Sequence, residues 1–330
     1  MQYRYILWYI DISFENERGR SSLKDGGYVV ARGIGIRIST ESVRVIEVEN
    51  RGGHMDIVGI AAGPYDGDLE TYLRDNGFDT DNTSVVCGLG PGDFLSTCLR
   101  REKEMSNDEV REQLTWEIRR KMISDPGEYT VDYVITDGIC FAFAGRKNLI
   151  RGLKKGSFKK CVADVETLAL YNSCELLGET NQGTTIVVSI EPEGITSLYL
   201  CEGMIHAFES YPLREEGLAS VFADFDEDAM KAVTATDAAR FTDYAYESIN
   251  RLNLIGGELP AKLETVVLAG SGVYFGDLMG RLKTKVNTFM KATNPLKLAA
   301  DDVTGMSSDL ESKGAAFTTC FGLAARALEE

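Results

Sequence analysis

Histidine is nearly absent from this chain of 330 residues, with only His54 and His206 present. A zinc centre or a histidine-activated nucleophile therefore has almost no raw material. Cysteine is present but unpaired in pattern. Seven residues, at 87, 98, 140, 161, 174, 201 and 320, include no Cys-x-x-Cys. An odd, scattered set without a secretion signal ahead of it reads as reduced, buried thiols in a cytoplasm. Positive charge is also short: 35 Lys and Arg stand against 51 Asp and Glu, a net charge of −16. A surface that acidic repels phosphate backbones, which argues against a nucleic-acid partner. Long apolar runs are missing too. Charges interrupt every helix-length stretch before the ~20 residues that a membrane span needs.

What is there belongs to an ordinary globular protein, 44% hydrophobic and 26% charged, long enough for one large core or two medium ones. One stretch organises the rest. Residues 34, 36 and 38 are apolar and alternate with others, as in a half-buried strand. A polar hairpin from Ser39 to Ser42 turns into a second strand, Val43 to Val48. The pattern returns at a constant offset of 152. Ile34, Ile36, Ile38, Val43, Ile46 and Val48 map onto Ile186, Val188, Ile190, Ile195, Leu198 and Leu200. Two hairpins half a chain apart point to a duplicated fold whose halves face each other across a cleft.

The remaining punctuation sets the domains. Residues 1–30 read as an N-terminal extension, a short aromatic strand and a charged linker, poorly ordered on this reading. Ser106 with Glu109 three residues on forms a capping box, and Val110, Leu114, Ile118 and Met122 stripe the helix it opens. Tyr129 to Thr136 and Ile139 to Ala144 read as strands around Asp137-Gly138, and Asn148 to Lys155 as a short basic helix. Together these predict an α+β module, about 93–160, inserted into a first lobe of 31–182. A second lobe is expected over 183–330. Asp164 and Glu166, at a strand end, are candidates either for cleft carboxylates or for caps of the helix starting there.

The order of these elements resembles the actin-like ATPase superfamily, and within it the PilM family of type IV pilus assembly proteins. Gly35 to Val48 fills the family's opening motif without a gap. Trp116-Glu117, Asp132-Tyr133 and Asp164-Val165-Glu166 are similar to its inserted module and return. Leu268-Ala269-Gly270-Ser271-Gly272 resembles its adenosine-side glycine turn, and Phe321-Gly322-Leu323-Ala324 its last helix. The resemblance implies an α/β, two-lobed actin-like ATPase fold with duplicated βββαβα lobes. It further implies a cytoplasmic scaffold, peripheral to the inner membrane, in a pilus or related secretion platform. The partner would be the cytoplasmic N-terminal peptide of a PilN-like membrane protein, beside other platform or motor components.

The departures bear on catalysis. In the superfamily each hairpin presents an aspartate for metal or water and a glycine that admits phosphate to backbone amides. Here Arg37 and Ser39, followed by Thr40, stand at the first such positions, and Ser189 and Glu191 at the second. An arginine cannot hold Mg²⁺, a glutamate repels polyphosphate, and Pro192 removes an amide donor. Gly270, Ser271 and Gly272 remain as an adenosine contact or as a plain tight turn. No catalytic or metal-binding residue is assigned. ATP with Mg²⁺ is expected to bind weakly or not at all, as in a pseudo-ATPase. The alternative is an active Mg-ATP-dependent ATPase or small-molecule kinase of the actin, Hsp70 and sugar-kinase superfamily.

Overall fold

Two β-hairpins built on one register govern the architecture of the computed structural model, which describes residues 31–39, 42–136, 138–153, 158, 160–180, 183–191, 193–213, 235–256 and 262–329. The leader 1–30, Thr40, Asp137, Pro192 and the end of the helix expected to reach Lys155 lie outside the described residues. The chain divides into two compact units. Residues Asp93–Leu153 belong to the smaller, and the larger contains the chain on either side of them.

In the larger unit β1 (Ala31–Ile38), β2 (Ser42–Arg51) and β3 (His54–Pro64) form an antiparallel meander. Helix α1 (Leu69–Asp75) is capped by Asp68, whose side chain accepts from the Thr71 amide. Strand β4 (Ser84–Leu89) then returns parallel to β1.

In the smaller unit β5 (Phe94–Arg100) precedes α2 (Asn107–Lys121), a 3₁₀ turn (Pro126–Glu128), β6 (Tyr129–Val134), β7 (Ile139–Arg146) and α3 (Lys147–Leu153). The sheet order is β5-β7-β6, all antiparallel. The capping box forms as the sequence predicts: Glu109 N donates to Ser106 Oγ at 3.3 Å, and Ser106 N donates to Glu109 Oε2 at 2.8 Å. Val110, Leu114 and Ile118 pack on Cys140, Ala142 and Ala144, whose small side chains let α2 sit close to the sheet. Strand β5 has no sequence forecast. It is an edge strand with mixed exposure, and its pattern carries no clean alternation.

The chain re-enters the larger unit as β8 (Lys160–Val165), parallel to β4, so Lys160 is already part of that sheet rather than of the module. Helix α4 (Glu166–Leu176) follows. The second meander comprises β9 (Thr184–Glu191), β10 (Gly194–Cys201) and β11 (Met204–Pro212). Next come α5 (Ala235–Gly256), β12 (Thr265–Ala269), α6 (Leu278–Lys285), β13 (Phe289–Ala292), β14 (Ala299–Thr304), α7 (Ser308–Glu311) and α8 (Thr318–Ala327).

The first sheet runs β14-β3-β2-β1-β4-β8 and the second β11-β10-β9-β12-β13. Apart from β14 the orders coincide strand for strand. The register coincides as well. Arg37 pairs with Arg44 and Ile38 with Val43 in the first hairpin, while Ser189 pairs with Thr196 and Ile190 with Ile195 in the second. Each partner is displaced by the same 152 residues.

Two expectations need correction. Strand β1 is buried on both faces, not half-buried, because α8 lies directly on its glycine face. A Cβ on Gly35 would collide with the Cys320 carbonyl and the Ala324 backbone. For the same reason α8 is buried on all sides. Residues 299–304 accordingly join the first sheet and 318–327 pack against it, although the sequence places both after the second.

Candidate functional site

The two hairpins, the start of α4 and the turn after β12 bring two arginines and three glutamates together. Arg37 on β1 and Arg44 on β2 are 1% and 2% exposed, among the largest fully buried side chains described. Cross-strand partners in a sheet face the same side, so both reach the same space. Arg44 binds Glu191 in a two-point fork: NH1 donates to Oε1 at 3.0 Å and NH2 to Oε2 at 2.6 Å. Its NH1 also donates to the Ala316 carbonyl. Arg37 NH2 donates to Glu193 Oε2 at 2.6 Å, and NH1 lies 3.7 Å from Glu191 Oε2. Arg37 Nε is 2.9 Å from Glu166 Oε1, yet the pair is not aligned as a hydrogen bond.

The electrostatics follow from burial and crowding. Burial works against the charge on Arg37, but Glu166, Glu191 and Glu193 outweigh it and hold the guanidinium well above its usual range. Burial also works against Glu191, and Arg37 and Arg44 more than compensate, so that carboxyl sits below its ordinary value. Glu166 is the exception. Burial, reinforced by Glu191 and Glu193, pushes it up to about 7 despite Arg37 and Arg44.

The residues singled out from sequence are placed as follows. Arg37 and Glu191 are partners in one network. Ser39 closes the first turn, with its Oγ 2.7 Å from Ser42 Oγ and accepting from Ser42 N at 3.1 Å. Thr40 is outside the described residues. Ser189 is buried opposite Thr196. Ser271 donates from Oγ to Glu191 Oε2 at 2.7 Å, which ties the glycine turn to the second hairpin. Gly270, at φ +86°, and Gly272 pack against Ile190, and a Cβ on either would strike it. The Gly270 amide is taken by the Ala315 carbonyl at 2.8 Å.

Arg44 and Glu193 belong to the network without having been marked in the sequence. The available signal was a charged residue inside the apolar run Val43-Arg44-Val45, in register with Arg37. Neither Asp164 nor Glu166 caps α4: its N-cap is Val165, with no side-chain capping bond. Asp164 accepts from the Val165 amide and lies 3.9 Å from Arg326.

This arrangement does not suit Mg-polyphosphate. A phosphate brought to the hairpins would meet Glu191 and Glu193, and the amide of Gly270 is already committed. Among the described residues no group of His, Cys, Asp and Glu is arranged to hold a metal.

No family model matches the chain, and no curated protein matches it. Solved structures do. The PilM-PilN type IV pilus biogenesis complex aligns with a TM-score of 0.67 at 19% identity, over 90% of this chain and 99% of that one. A Bacteroides thetaiotaomicron protein with an actin-like ATPase fold aligns at 0.45 and 13% identity, over 89% and 96%. The cytoplasmic domain of EpsL, an inner-membrane component of the Vibrio cholerae type II secretion system, aligns at 0.43 and 7% identity, over 91% and 96%. The chain has an actin-like ATPase fold, and in that fold it is similar to the chain of the PilM-PilN complex.

Proposed function

We propose that this protein is an actin-like scaffold of a type IV pilus or related inner-membrane assembly platform, with weak or no ATPase activity. It binds the cytoplasmic N-terminal peptide of a PilN-like membrane protein. The observation that carries the reading is the Arg37–Arg44–Glu166–Glu191–Glu193 network, in which the chain supplies both the cations and the anions where its two hairpins meet. An enzyme of this fold needs those positions for Mg²⁺ and phosphate. The likeness in fold to the PilM-PilN complex supports the choice of platform and partner. Among the described residues no helix is long and apolar enough to cross a membrane, which is consistent with recruitment through a membrane-anchored partner at the cytoplasmic face.

Calorimetry tests both halves. Titrated with the N-terminal peptide of a PilN-like protein from the same organism, the full chain should show saturable binding. Titrated with MgATP it should show no micromolar site. At a ligand concentration equal to Kd, stabilisation is only about 0.4 kcal/mol, so millimolar ATP should scarcely move the melting curve. Micromolar MgATP affinity with steady phosphate release would replace the scaffold by the ATPase or kinase reading. Absence of peptide binding would remove the proposed partner.

A further inference from the structure

A cavity of about 530 Å³ opens on the smaller unit between the end of α2 and the β7–α3 junction, with Ser124, Glu128, Arg146, Lys147, Asn148 and Arg151 in its lining. That is the size of a small-molecule pocket. Its walls are fixed by their own bonds. The 3₁₀ turn is held by Asp125 Oδ1, which accepts from the Gly127 amide at 2.9 Å, and Lys147 Nζ donates to the Gly127 carbonyl at 2.8 Å. Arg151 has no hydrogen bond or ion pair among the described residues.

Three cations therefore share one cavity with a single carboxylate, in a chain whose net charge is −16. The flanks are equally out of character. Ile123, next to Ser124, is 90% exposed, and Leu149, next to Asn148, is 38% exposed. Arginine and lysine side chains lining one cavity suit a compact oxyanion, whereas Glu128, Asn148 and Ser124 offer acceptors and donors for hydroxyls beside it. A free phosphate would leave the two apolar side chains without a role. A bilayer of anionic lipid uses both, since basic residues gain from the surface potential and exposed Ile and Leu enter the headgroup boundary.

We infer that this pocket receives the phosphate of an anionic phospholipid headgroup, with Ile123 and Leu149 entering the interfacial layer beside it. The inference is independent of the partner peptide and of nucleotide. Flotation of the full chain with phosphatidylglycerol/phosphatidylcholine vesicles should recover it at physiological salt, and pure phosphatidylcholine vesicles should not. At 0.5 M salt the recovery should fall sharply, because the attraction is screened. Arg151→Glu removes no partner among the described residues, so it should keep the wild-type unfolding curve while lowering vesicle partitioning at least tenfold. Ile123→Ser with Leu149→Ser should lower it as well, by several-fold.

Equal flotation of wild type and Arg151→Glu would overturn the assignment, as would equal recovery on neutral vesicles. So would binding of soluble glycerol phosphate that the Ile123→Ser/Leu149→Ser variant retains while the wild type ignores vesicles. A hexaglutamate peptide that binds tightly and depends on Arg151, without vesicle binding, would assign the pocket to acidic protein segments instead.

Discussion

The two hairpins of the larger unit are the same object in backbone and opposites in charge. Their strand pairings correspond residue for residue across 152 positions. Yet the first carries Arg37 and Arg44 inward and the second carries Glu191 and Glu193. Neither set could be buried alone, because an unpaired interior charge costs several kcal/mol. Each hairpin is the other's counterion. The comparison teaches that two copies of one backbone register can carry opposite buried charges and neutralise each other, without any change of fold.

The strongest way to break this symmetry is to remove its central anion. Glu191→Ala removes the buried carboxylate onto which Arg44 forks and should cost about 3–5 kcal/mol in urea unfolding. Arg44→Met combined with Glu191→Leu should recover most of that loss, which a double-mutant cycle would register. A cost below 1 kcal/mol for Glu191→Ala would show that the network does not join the hairpins.

Proton linkage distinguishes the glutamates further. The carboxyl of Glu166 rises from its ordinary 4.5 to about 7, so the folded state binds its proton more tightly than the unfolded state. Its contribution is full below pH 4.5 and is lost as pH rises through about 7, on the order of 3 kcal/mol across that window. Glu191 has the opposite sign, contributing above the ordinary carboxylate range and losing that contribution as pH falls through its lowered value. Glu166→Gln should flatten the decline of Tm between pH 4.5 and 7. An unchanged slope would assign the decline to other groups.

A third test exchanges equivalent backbone positions. Gly35 corresponds to Val187 across the duplication, and only the first is covered by α8. Gly35→Val should therefore destabilise by about 2–3 kcal/mol through overpacking, measured by denaturant midpoint. Tolerance of the valine would mean that α8 can lift off the strand. Smallest is Ser271→Ala. It removes one bond to Glu191, whose carboxylate keeps its arginine fork, and should cost about 1 kcal/mol.

Much of this fold is legible in the sequence because it rests on local signals. The alternating hairpins, their offset, the Ser106 capping box and the α2 stripe each depend on residues close together. The fold class follows from their order. Strands β5, β13 and β14 are less visible, being short or edge segments whose residues show no two-residue period. The site was partly legible. Arg37 and Glu191 stand out as departures from a motif, and their mutual charge was readable one residue at a time. That Arg44 forks onto Glu191 was not, because a pairing across 147 residues leaves no trace in either neighbourhood. The glycines of the turn after β12 look the same whether they approach a ligand or, as here, Ile190.

The seating of α8 on the glycines of β1 also has a kinetic side. Strand β1 begins at Ala31 and its cover ends at Ala327, so the first sheet is completed by contacts that span almost the whole described chain. Such high-separation contacts make assembly slow, because loop closure must precede any gain from packing. The small unit, by contrast, closes its sheet and helix within Asp93–Leu153 and can form early on the ribosome. Until Cys320 and Ala324 emerge, β1 presents bare backbone where the helix belongs, so the larger unit is the later of the two to be completed.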